Sequence, residues 1–401
     1  MLFPSIQTRG GSRARRACAL SLPGLLALAL SGCGGGGGGS STLTGTVSLS
    51  HFAYTDLGAI GSIGTHPTGI SDAGVITGYF NTSNNGGGPN QPFRHTGTAP
   101  VTVADALALP AGQSLGPNLV SVPNINAAGT VVGTVYTNNT TSGAVQDAFV
   151  YDTSFHDLGA LPLTFSGRSV AAATAVNDAG TVVGYDEFSD QGVTHAFRHT
   201  GTGALTAADD LGTFGAYTSL GATAINQAGT LVGTATAGTE MGTPTTSSPT
   251  QHAFVYDTTF HDLGTLPATT TSTATGINNG DLVIGYGQGA GALRSFRHAG
   301  TGPLTTADDL GQLPGVSGLA ALAINSGGDV VGNAGINGGL PTAFLLKSGG
   351  TLQSLSNPAL VTNLPAGFGL QSATAINIQG QIVGYTVIGG TAHAWLLTPI
   401  P

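Results

Sequence analysis

Short runs of apolar and β-branched residues follow one another along most of the chain, separated by Gly, Pro, Asn or Asp. One stretch contains four such runs, at His252–Tyr256, Phe260–Gly264, Ala274–Asn278 and Leu282–Tyr286. Runs of this length and composition predict β-strands, and the residues between them predict turns. Beyond residue 32, no segment keeps a helical spacing of apolar residues over three turns. The pattern therefore predicts an all-β fold.

One phrase returns seven times: an aliphatic residue, usually an Asn, a Gly, an apolar pair and a second Gly. Successive copies are 55, 51, 49, 52, 47 and 52 residues apart. Because four strands in about 50 residues are the content of one propeller blade, we predict a seven-bladed β-propeller over residues 43–401. A β-solenoid is the alternative, although many solenoid coils need only about 20–30 residues. Repeats 1 to 7 carry the copies that begin at Ile70, Ile125, Val176, Ile225, Ile277, Ile324 and Ile376.

The phrase predicts a β-hairpin. In repeat 4 a strand runs into Asn226, and Gly229 is placed to take the positive φ that closes the turn. The Asn side chain is expected to accept a hydrogen bond from the turn backbone. The second Gly of each copy indicates a close approach, and we expect an aromatic residue of the repeat's last strand to fill that space or to pack between adjacent repeats. The aromatic residues are Phe93, Phe149, Phe197, Phe254, Phe296, Phe344 and Trp395.

The strand order also predicts how the two ends of the domain meet. Residues Tyr54–Gly58 match the strand that follows the aromatic strand in other repeats, so they should pair with His393–Leu397 and remove two free edges. We expect a ligand on the face opposite the hairpins, because its links are long and long loops on rigid scaffolds are common binding sites. Tolerated insertions are the alternative. The long links are Phe80–Gln91, Pro110–Pro123, Val135–Gln146, Asp186–Thr194 and Ala235–Gln251.

Residues 1–32 have the features of a signal peptide. Four arginines precede an apolar run over residues 17–30, which is too short to span a bilayer. The run ends in Leu-Ser-Gly-Cys, which resembles a bacterial lipoprotein signal; the resemblance implies cleavage before Cys33 and a lipid on its sulfur. Residues 33–42 form a Gly/Ser tether. An Asp directly after the lipidated Cys would resemble the inner-membrane retention signal of Gram-negative lipoproteins, but this chain has Gly34 there. We therefore expect outer-membrane anchoring on the periplasmic or cell-surface side.

Without the signal peptide, the chain has six basic and 19 acidic residues, a net charge of −13 with His neutral. This acidity argues against nucleic acid or anionic lipid as a partner. Cys18 lies in the signal peptide and Cys33 is the predicted lipidation site, so no disulfide is expected. We expect a monomer that contacts the membrane through its lipid anchor only.

Several motifs together resemble the HAF-type extracellular repeat of bacteria over about residues 52–398. They are the His-Ala-Phe/Trp segments at His195, His252 and His393, the Asp-Leu-Gly segments at Asp157 and Asp262, and the repeated Ile-Asn-x-x-Gly-x-Val-Val-Gly phrase. The resemblance implies an extracellular repeat protein and carries no activity. Four repeats lack the His, which argues against a ring of histidines around a metal ion. The residues in the matching region are Pro92, Asp147, Arg294 and Thr342.

Candidate catalytic residues are few. Within His156-Asp157 and His261-Asp262 the two side chains point to opposite faces of a strand, so neighbours cannot pair. Asp209-Asp210 and Asp308-Asp309 could hold a cation through oxygen ligands, but solvated loop carboxylates are the simpler interpretation. The sequence has no zinc-ligand spacing, no nucleophile elbow and no phosphate loop. We therefore nominate no catalytic residue, no metal ligand and no cofactor.

Three function classes fit this sequence. A surface-tethered binding or adhesion module for a glycan or a protein would need only an exposed groove. A cell-envelope enzyme acting on polysaccharide would need carboxylates with perturbed pKa values that converge in a cleft. A structural or assembly lipoprotein would need a large apolar patch. Because no acidic pair stands out, the sequence favours the binding module, whose ligand and binding residues it leaves unknown.

Overall fold

Each repeat contains a similar succession of short strands. The structure is a computed structural model. It describes residues 51–83, 89–115, 123–139, 143–163, 169–188, 192–237, 250–289, 291–335 and 340–400. The predicted signal peptide, Cys33 and the tether lie outside the described residues. Within the described part of the chain, no helix is long and apolar enough to cross a bilayer.

The fold is all-β, as predicted, and its elements are as follows in chain order. Strand β1 (His51–Gly58) precedes repeat 1, which holds β2 (Thr65–Ile70), β3 (Ile76–Phe80), β4 (Gln91–His95) and a 3₁₀ helix, η1 (Val103–Asp105). Repeat 2 holds β5 (Gln113–Ser114), β6 (Asn124–Ile125), β7 (Val131–Asn139), β8 (Gly143–Tyr151) and β9 (Phe155–Gly159). Repeat 3 holds β10 (Ser169–Val176), β11 (Thr181–Phe188), β12 (Val193–Thr200) and η2 (Ala207–Asp209).

The second half of the chain continues the same order. Repeat 4 holds β13 (Tyr217–Ile225), β14 (Leu231–Ala237), β15 (Thr250–Tyr256) and β16 (Phe260–Asp262). Repeat 5 holds β17 (Thr273–Ile277), β18 (Leu282–Gln288), β19 (Leu293–Ala299) and η3 (Thr306–Asp308). Repeat 6 holds β20 (Gly318–Ile324), β21 (Val330–Gly335), β22 (Thr342–Leu346) and β23 (Leu352–Ser354). Repeat 7 holds β24 (Val361–Thr362), β25 (Ser372–Ile376), β26 (Ile382–Ile388) and β27 (Thr391–Ile400).

Successive long strands pair antiparallel within each repeat. Repeats 2 and 3 share one eight-stranded sheet, because β8 and β10 meet in parallel with Gln146 opposite Val170. The predicted pairing of the chain ends is confirmed: β1 runs antiparallel to β27, with Tyr54 opposite Leu397 and Asp56 opposite Trp395. The first strand therefore completes the sheet of the last repeat.

The hairpin geometry agrees with the sequence prediction. Gly229 has φ +87° and Asn226 Oδ1 accepts a hydrogen bond from Thr230 N at 3.0 Å. Repeat 5 departs from the pattern, because the residue at the place of Gly229 is Asp281, with φ +55°. Its glycine, Gly280, lies one residue earlier and has no positive φ.

The prediction for the second glycines is confirmed as well. Each is directly opposite the aromatic residue of its repeat, as Gly285 is opposite Phe296. A methyl group on Gly285 would come within 2.5 Å of the Phe296 ring. All seven aromatic side chains are completely buried.

The apolar core is distributed between repeats. The described residues form seven buried clusters, and each combines side chains from two successive repeats or, in one case, from repeats 7 and 1. In that last cluster Ile70 and Phe93 of repeat 1 pack with Val383 and Leu396 of repeat 7. Each repeat is therefore stabilised by burial against both of its neighbours.

Candidate functional site

The hairpin asparagines connect the repeats through their side-chain amides. Each Nδ2 donates to the backbone oxygen of the corresponding residue in the next repeat, at 2.9–3.3 Å. The donors are Asn126, Asn177, Asn226, Asn278, Asn325 and Asn377, and Asn377 donates to Ser71 of repeat 1. The sequence predicted the acceptor role of these amides in the turn, but it missed this donor role.

Threonine hydroxyls form a second series of contacts between repeats. Thr174 Oγ1 donates to Ala222 O at 2.9 Å, and Thr374 Oγ1 donates to Pro67 O at 2.8 Å. Corresponding bonds start from Thr68, Thr223 and Thr275. The asparagine amides and the threonine hydroxyls thus both connect the first strand of one repeat to that of the next.

These first strands line a cavity of about 750 Å³, to which every repeat contributes residues. Hairpin residues, including Asp72 and Asp178, lie at one end. The other end carries His66, Tyr79 and Tyr385. Because β2 enters from the face opposite the hairpins, the His66 end is on the face predicted to bind a ligand.

The His66 ring contacts two tyrosine rings. It lies parallel to that of Tyr79 at 4.8 Å between centroids and meets Tyr385 edge-on at the same distance. Burial lowers the pKa of His66. Burial and the neighbouring Tyr385 raise the pKa of Tyr79 to about 12. At neutral pH both rings are therefore uncharged.

His66 is an exception within the repeat pattern. Its counterparts, paired opposite the residue that follows the second Gly, are Ala172, Gly221, Thr273, Ala320 and Ser372. All are small, so only repeat 1 among these places an aromatic ring there. The counterpart in repeat 2 lies outside the described residues. Aligning the repeats on their asparagines would have shown this exception in the sequence.

Asn333, which also lines this cavity, leaves a polar atom without a partner. Its Oδ1 is buried and accepts no hydrogen bond from the described residues. A buried amide oxygen without a donor is costly in the free protein, so it is a suitable acceptor for a ligand donor.

Seven of the described histidines outside this cavity lie beside a carboxylate, and His51 and His393 do not. His195 Nδ1 lies 3.0 Å from Asp210 Oδ2, and His252 Nδ1 lies 2.9 Å from Asp262 Oδ1. Arg294 takes the place of His in repeat 5 and contacts Asp309. As predicted, His156 and His261 do not pair with their sequence neighbours; they contact Asp152 at 3.1 Å and Asp257 at 3.2 Å.

The two Asp-Asp segments fit neither interpretation made from the sequence. Asp209 lies 3.2 Å from His199 and Asp308 lies 3.0 Å from His298, while Asp210 faces His195. The carboxylates of a segment therefore have separate partners, and those of Asp209 and Asp210 are only 16% and 15% exposed. No three His, Cys, Asp or Glu side chains of the described ranges are arranged to hold a metal ion.

Repeat 2 has an acidic pair where repeats 3 and 4 have a His–Asp pair. Asp147 occupies the place of His195, and Asp157 occupies that of Asp210. Burial, followed by the charges of Asp157 and Asp186, raises the pKa of Asp147 to about 6. The expectation that no acidic pair stands out is therefore wrong. Asp147 does not line the central cavity.

In repeat 1 the register corrects one alignment made from the sequence. Phe93 is opposite Gly78 as Phe197 is opposite Gly184, so the counterpart of His195, two residues before the aromatic ring, is Gln91 and not Pro92.

The comparisons with known proteins are sparse. No protein-family model and no curated protein matches the chain. Among solved structures, the fold is similar to that of Bombyx mori GH32 beta-fructofuranosidase BmSUC1, with a TM-score of 0.31 and 10% sequence identity. The match covers 87% of this chain and 90% of that chain. A likeness at this level carries no argument about activity.

Proposed function

We propose that residues 43–401 form a seven-bladed β-propeller that acts as a binding module of the cell envelope, with a neutral glycan bound at the His66 end of the central cavity. In this proposal Cys33 carries a lipid that anchors the module in the outer membrane. The HAF-type resemblance agrees with an extracellular repeat protein. The observation that carries the proposal is the cavity lined by all seven repeats, with aromatic rings and a free amide oxygen at one end.

Three observations support the propeller. Seven apolar clusters match seven junctions, including one between repeats 7 and 1. The amide series returns from Asn377 to Ser71. Strand β1 pairs with β27. A solenoid would leave its first and last coils unpaired with each other, so these contacts favour a ring of blades.

The lining of the cavity supports a neutral, hydroxylated ligand. A volume of about 750 Å³ suits a small ligand, for which pockets of about 300–1,000 Å³ are usual. Neither Lys nor Arg is among the lining residues, so an anion would have no charged partner. Tyr385 and His66 offer aromatic edges, and the hydroxyls and amides of neighbouring strands offer hydrogen bonds. This combination suits sugar rings, which have apolar faces and many hydroxyl groups.

The test is a glycan array screen of the mature chain, followed by affinity measurements on two matched variants. Tyr385 and Tyr286 hold the same register position, but only Tyr385 lines the cavity. We expect Tyr385→Ala to weaken binding by at least about tenfold, since a lost stacking contact is worth on the order of 1 kcal/mol or more. Tyr286→Ala should bind as the parent does. Equal losses in both variants, or binding unchanged by Tyr385→Ala, would contradict the cavity site.

The anchoring part of the proposal has its own test. A Cys33→Ser variant should be released from the membrane fraction or left unprocessed. If it stays membrane-bound with its signal peptide removed elsewhere, the lipid anchor is wrong, whatever the glycan measurements show.

A further inference from the structure

A second pocket, of about 580 Å³, lies in repeat 6 and shares no residue with the central cavity. Leu313 and Val316, in the link before β20, form one apolar side, and Leu352 of β23 continues it. The hydroxyl groups of Thr342 and Ser354 also line the pocket.

The same place in repeat 4 is filled by side chains, as the backbone register shows. Tyr217 N donates to Phe214 O, and Val316 N donates to Leu313 O, so Val316 is the counterpart of Tyr217. Phe260 pairs opposite Tyr256 as Leu352 pairs opposite Leu346.

In repeat 4 the residues at this place form an aromatic cluster. The Phe214 ring lies 5.4 Å from that of Phe260 and 6.0 Å from that of Tyr217. In repeat 6, Leu313, Leu352 and Val316 occupy these three places. Repeat 6 therefore has smaller aliphatic side chains where repeat 4 has three rings, and the space that such rings would fill is open as the repeat 6 pocket.

The polar side chains next to this place also differ between repeats 4 and 6. In repeat 4 the Tyr217 hydroxyl donates to Asp262 Oδ2 at 2.6 Å and lies 2.6 Å from His252 Nδ1. The counterparts of His252 and Asp262 are Thr342 and Ser354, whose hydroxyl oxygens are 2.9 Å apart.

A third hydroxyl adds to this polar side. Ser356 Oγ lies 3.1 Å from Thr342 Oγ1, donates to Leu370 O at 3.2 Å and accepts from Leu370 N at 2.9 Å. The repeat 6 pocket thus has apolar walls on one side and, on the other, small neutral hydroxyls at the places of the two partners that the phenol oxygen of Tyr217 has in repeat 4.

We propose that the repeat 6 pocket binds a phenol, an aromatic ring that carries a hydroxyl group. The ring occupies the space that the rings of Phe214 and Tyr217 fill in repeat 4, between Leu313, Val316 and Leu352. Its hydroxyl meets Thr342 and Ser354, as the hydroxyl of Tyr217 meets His252 and Asp262. This second site is independent of the glycan site proposed for the central cavity.

The test measures the affinity of the purified mature chain for p-cresol and for toluene by calorimetry and by NMR. We expect saturable p-cresol binding and, for toluene, an affinity lower by at least about fivefold, because toluene has no hydroxyl group to form a hydrogen bond with Thr342 or Ser354. Val316→Tyr fills the pocket and should weaken p-cresol binding by at least about tenfold. Tyr286→Ala, which lies in another repeat, should leave it unchanged.

A second variant keeps the proposal testable if Val316→Tyr fails to fold. Thr342→Val combined with Ser354→Ala should weaken p-cresol binding about fivefold and leave toluene binding unchanged. Equal binding of toluene and p-cresol to the parent, no saturable binding of p-cresol, or p-cresol binding unaffected by both variants would overturn the proposal.

Two sources of the phenol are distinguished by a further arm. N-acetyltyrosinamide tests a tyrosine side chain of a partner peptide, and p-cresol tests a free phenol. Stronger binding of the amide than of p-cresol supports the peptide source, and binding of p-cresol alone supports the small molecule. If neither compound binds, the site does not recognise phenols.

Discussion

The two junctions of repeat 2 are built differently, although both bury apolar side chains. At the junction with repeat 1, Ser71 takes the place of an asparagine, so the side-chain amide contact is missing, while Thr68 still donates to Pro123 O. At the junction with repeat 3, Asn126 Nδ2 donates to Asn177 O at 2.9 Å. There the threonine contact is missing instead, because Pro123 stands at the place of Thr68 and has no hydroxyl.

Each junction has further contacts between residues that do not line the cavity. At the first, Arg94 Nη1 donates to Gly129 O and to Asp152 O, both at 3.0 Å. At the second, β8 and β10 join the two sheets, and the acidic pair of Asp147 and Asp157 lies nearby. Apolar burial is thus common to the two junctions, whereas the polar contacts that join the repeats differ from one junction to the other.

The largest expected effect comes from Asn126→Ala at the second junction. It removes the bond to Asn177 and the bond that Asn126 Oδ1 accepts from Thr130 N at 2.9 Å, and Asn126 is buried. We expect the free energy of unfolding to fall by about 2–3 kcal/mol, measured by urea titration. Asn126→Ser, which copies repeat 1, should cost about 1 kcal/mol because its hydroxyl can still accept the turn bond. Equal costs would show that the turn bond from Thr130 contributes nothing, and an Asn126→Ser variant as stable as the parent would show the same of the bond to Asn177.

Arg94→Ala should have the next largest effect, at the first junction. The guanidinium bonds to two backbone oxygens of repeat 2 and lies 5.9 Å from the centre of the Tyr151 ring. Because the side chain is half-buried, we expect a loss of about 1–2 kcal/mol. Arg198 is the matched control: it holds the same place in repeat 3, it is exposed, and its side chain forms no hydrogen bond with the described residues. Arg198→Ala should therefore change stability by less than about 0.5 kcal/mol, and an equal loss would contradict the role of Arg94.

The contrast between these junctions shows what the sequence could and could not predict. The strands, the positive φ of Gly229 and the burial of the aromatic residues follow from local patterns. The pairing of β1 with β27 follows from the order of strands that the repeats share. The bond from Asn126 to Asn177 joins residues that are 51 positions apart. Local turn chemistry already explained the asparagines, so nothing in one repeat indicated that contact.

The sequence did not predict the candidate site for a related reason. His66 contacts Tyr79 of its own repeat and Tyr385 of repeat 7, and the phrase that the repeats share contains none of these three residues. The raised pKa of Asp147 likewise depends on Asp157 and on Asp186 of the next repeat. Such sites come from differences between repeats, whereas a repeat pattern records what the repeats share.

Asp147→Asn should sharpen the comparison through its pH dependence. The folded-state pKa of about 6 lies above the ordinary value of about 3.9, so the folded protein binds the proton more tightly. The stability that this proton contributes is present below about pH 4 and is lost as the pH rises through 6. Because Asp147 is only partly buried, we expect Asp147→Asn to be more stable than the parent by about 1 kcal/mol at pH 8 and equal to it at pH 4.

The control for this pH effect is Asp152, near the first junction. Backbone hydrogen bonds from Ser154 and Thr153 lower its pKa to about 2, so its contribution has the opposite sign and is lost as the pH falls. Asp152→Asn should therefore be less stable than the parent at pH 8. If both variants shift stability in the same direction at pH 8, the acidic pair does not set the pH dependence of the second junction.

The smallest expected effect is a gain, from Ser71→Asn at the first junction. Ser71 Oγ accepts from Val75 N at 3.0 Å, as each Asn Oδ1 accepts from the residue four positions on, so an asparagine keeps the turn bond. Its amide can then donate to Asn126 O and supply the missing contact. We expect a gain of about 0.5–1 kcal/mol in the free energy of unfolding, measured by urea titration. Ser71→Ala, which removes the turn bond, should lose about 1 kcal/mol. A loss in both variants would mean that the first strands of repeats 1 and 2 are spaced to accept the threonine contact but not the amide.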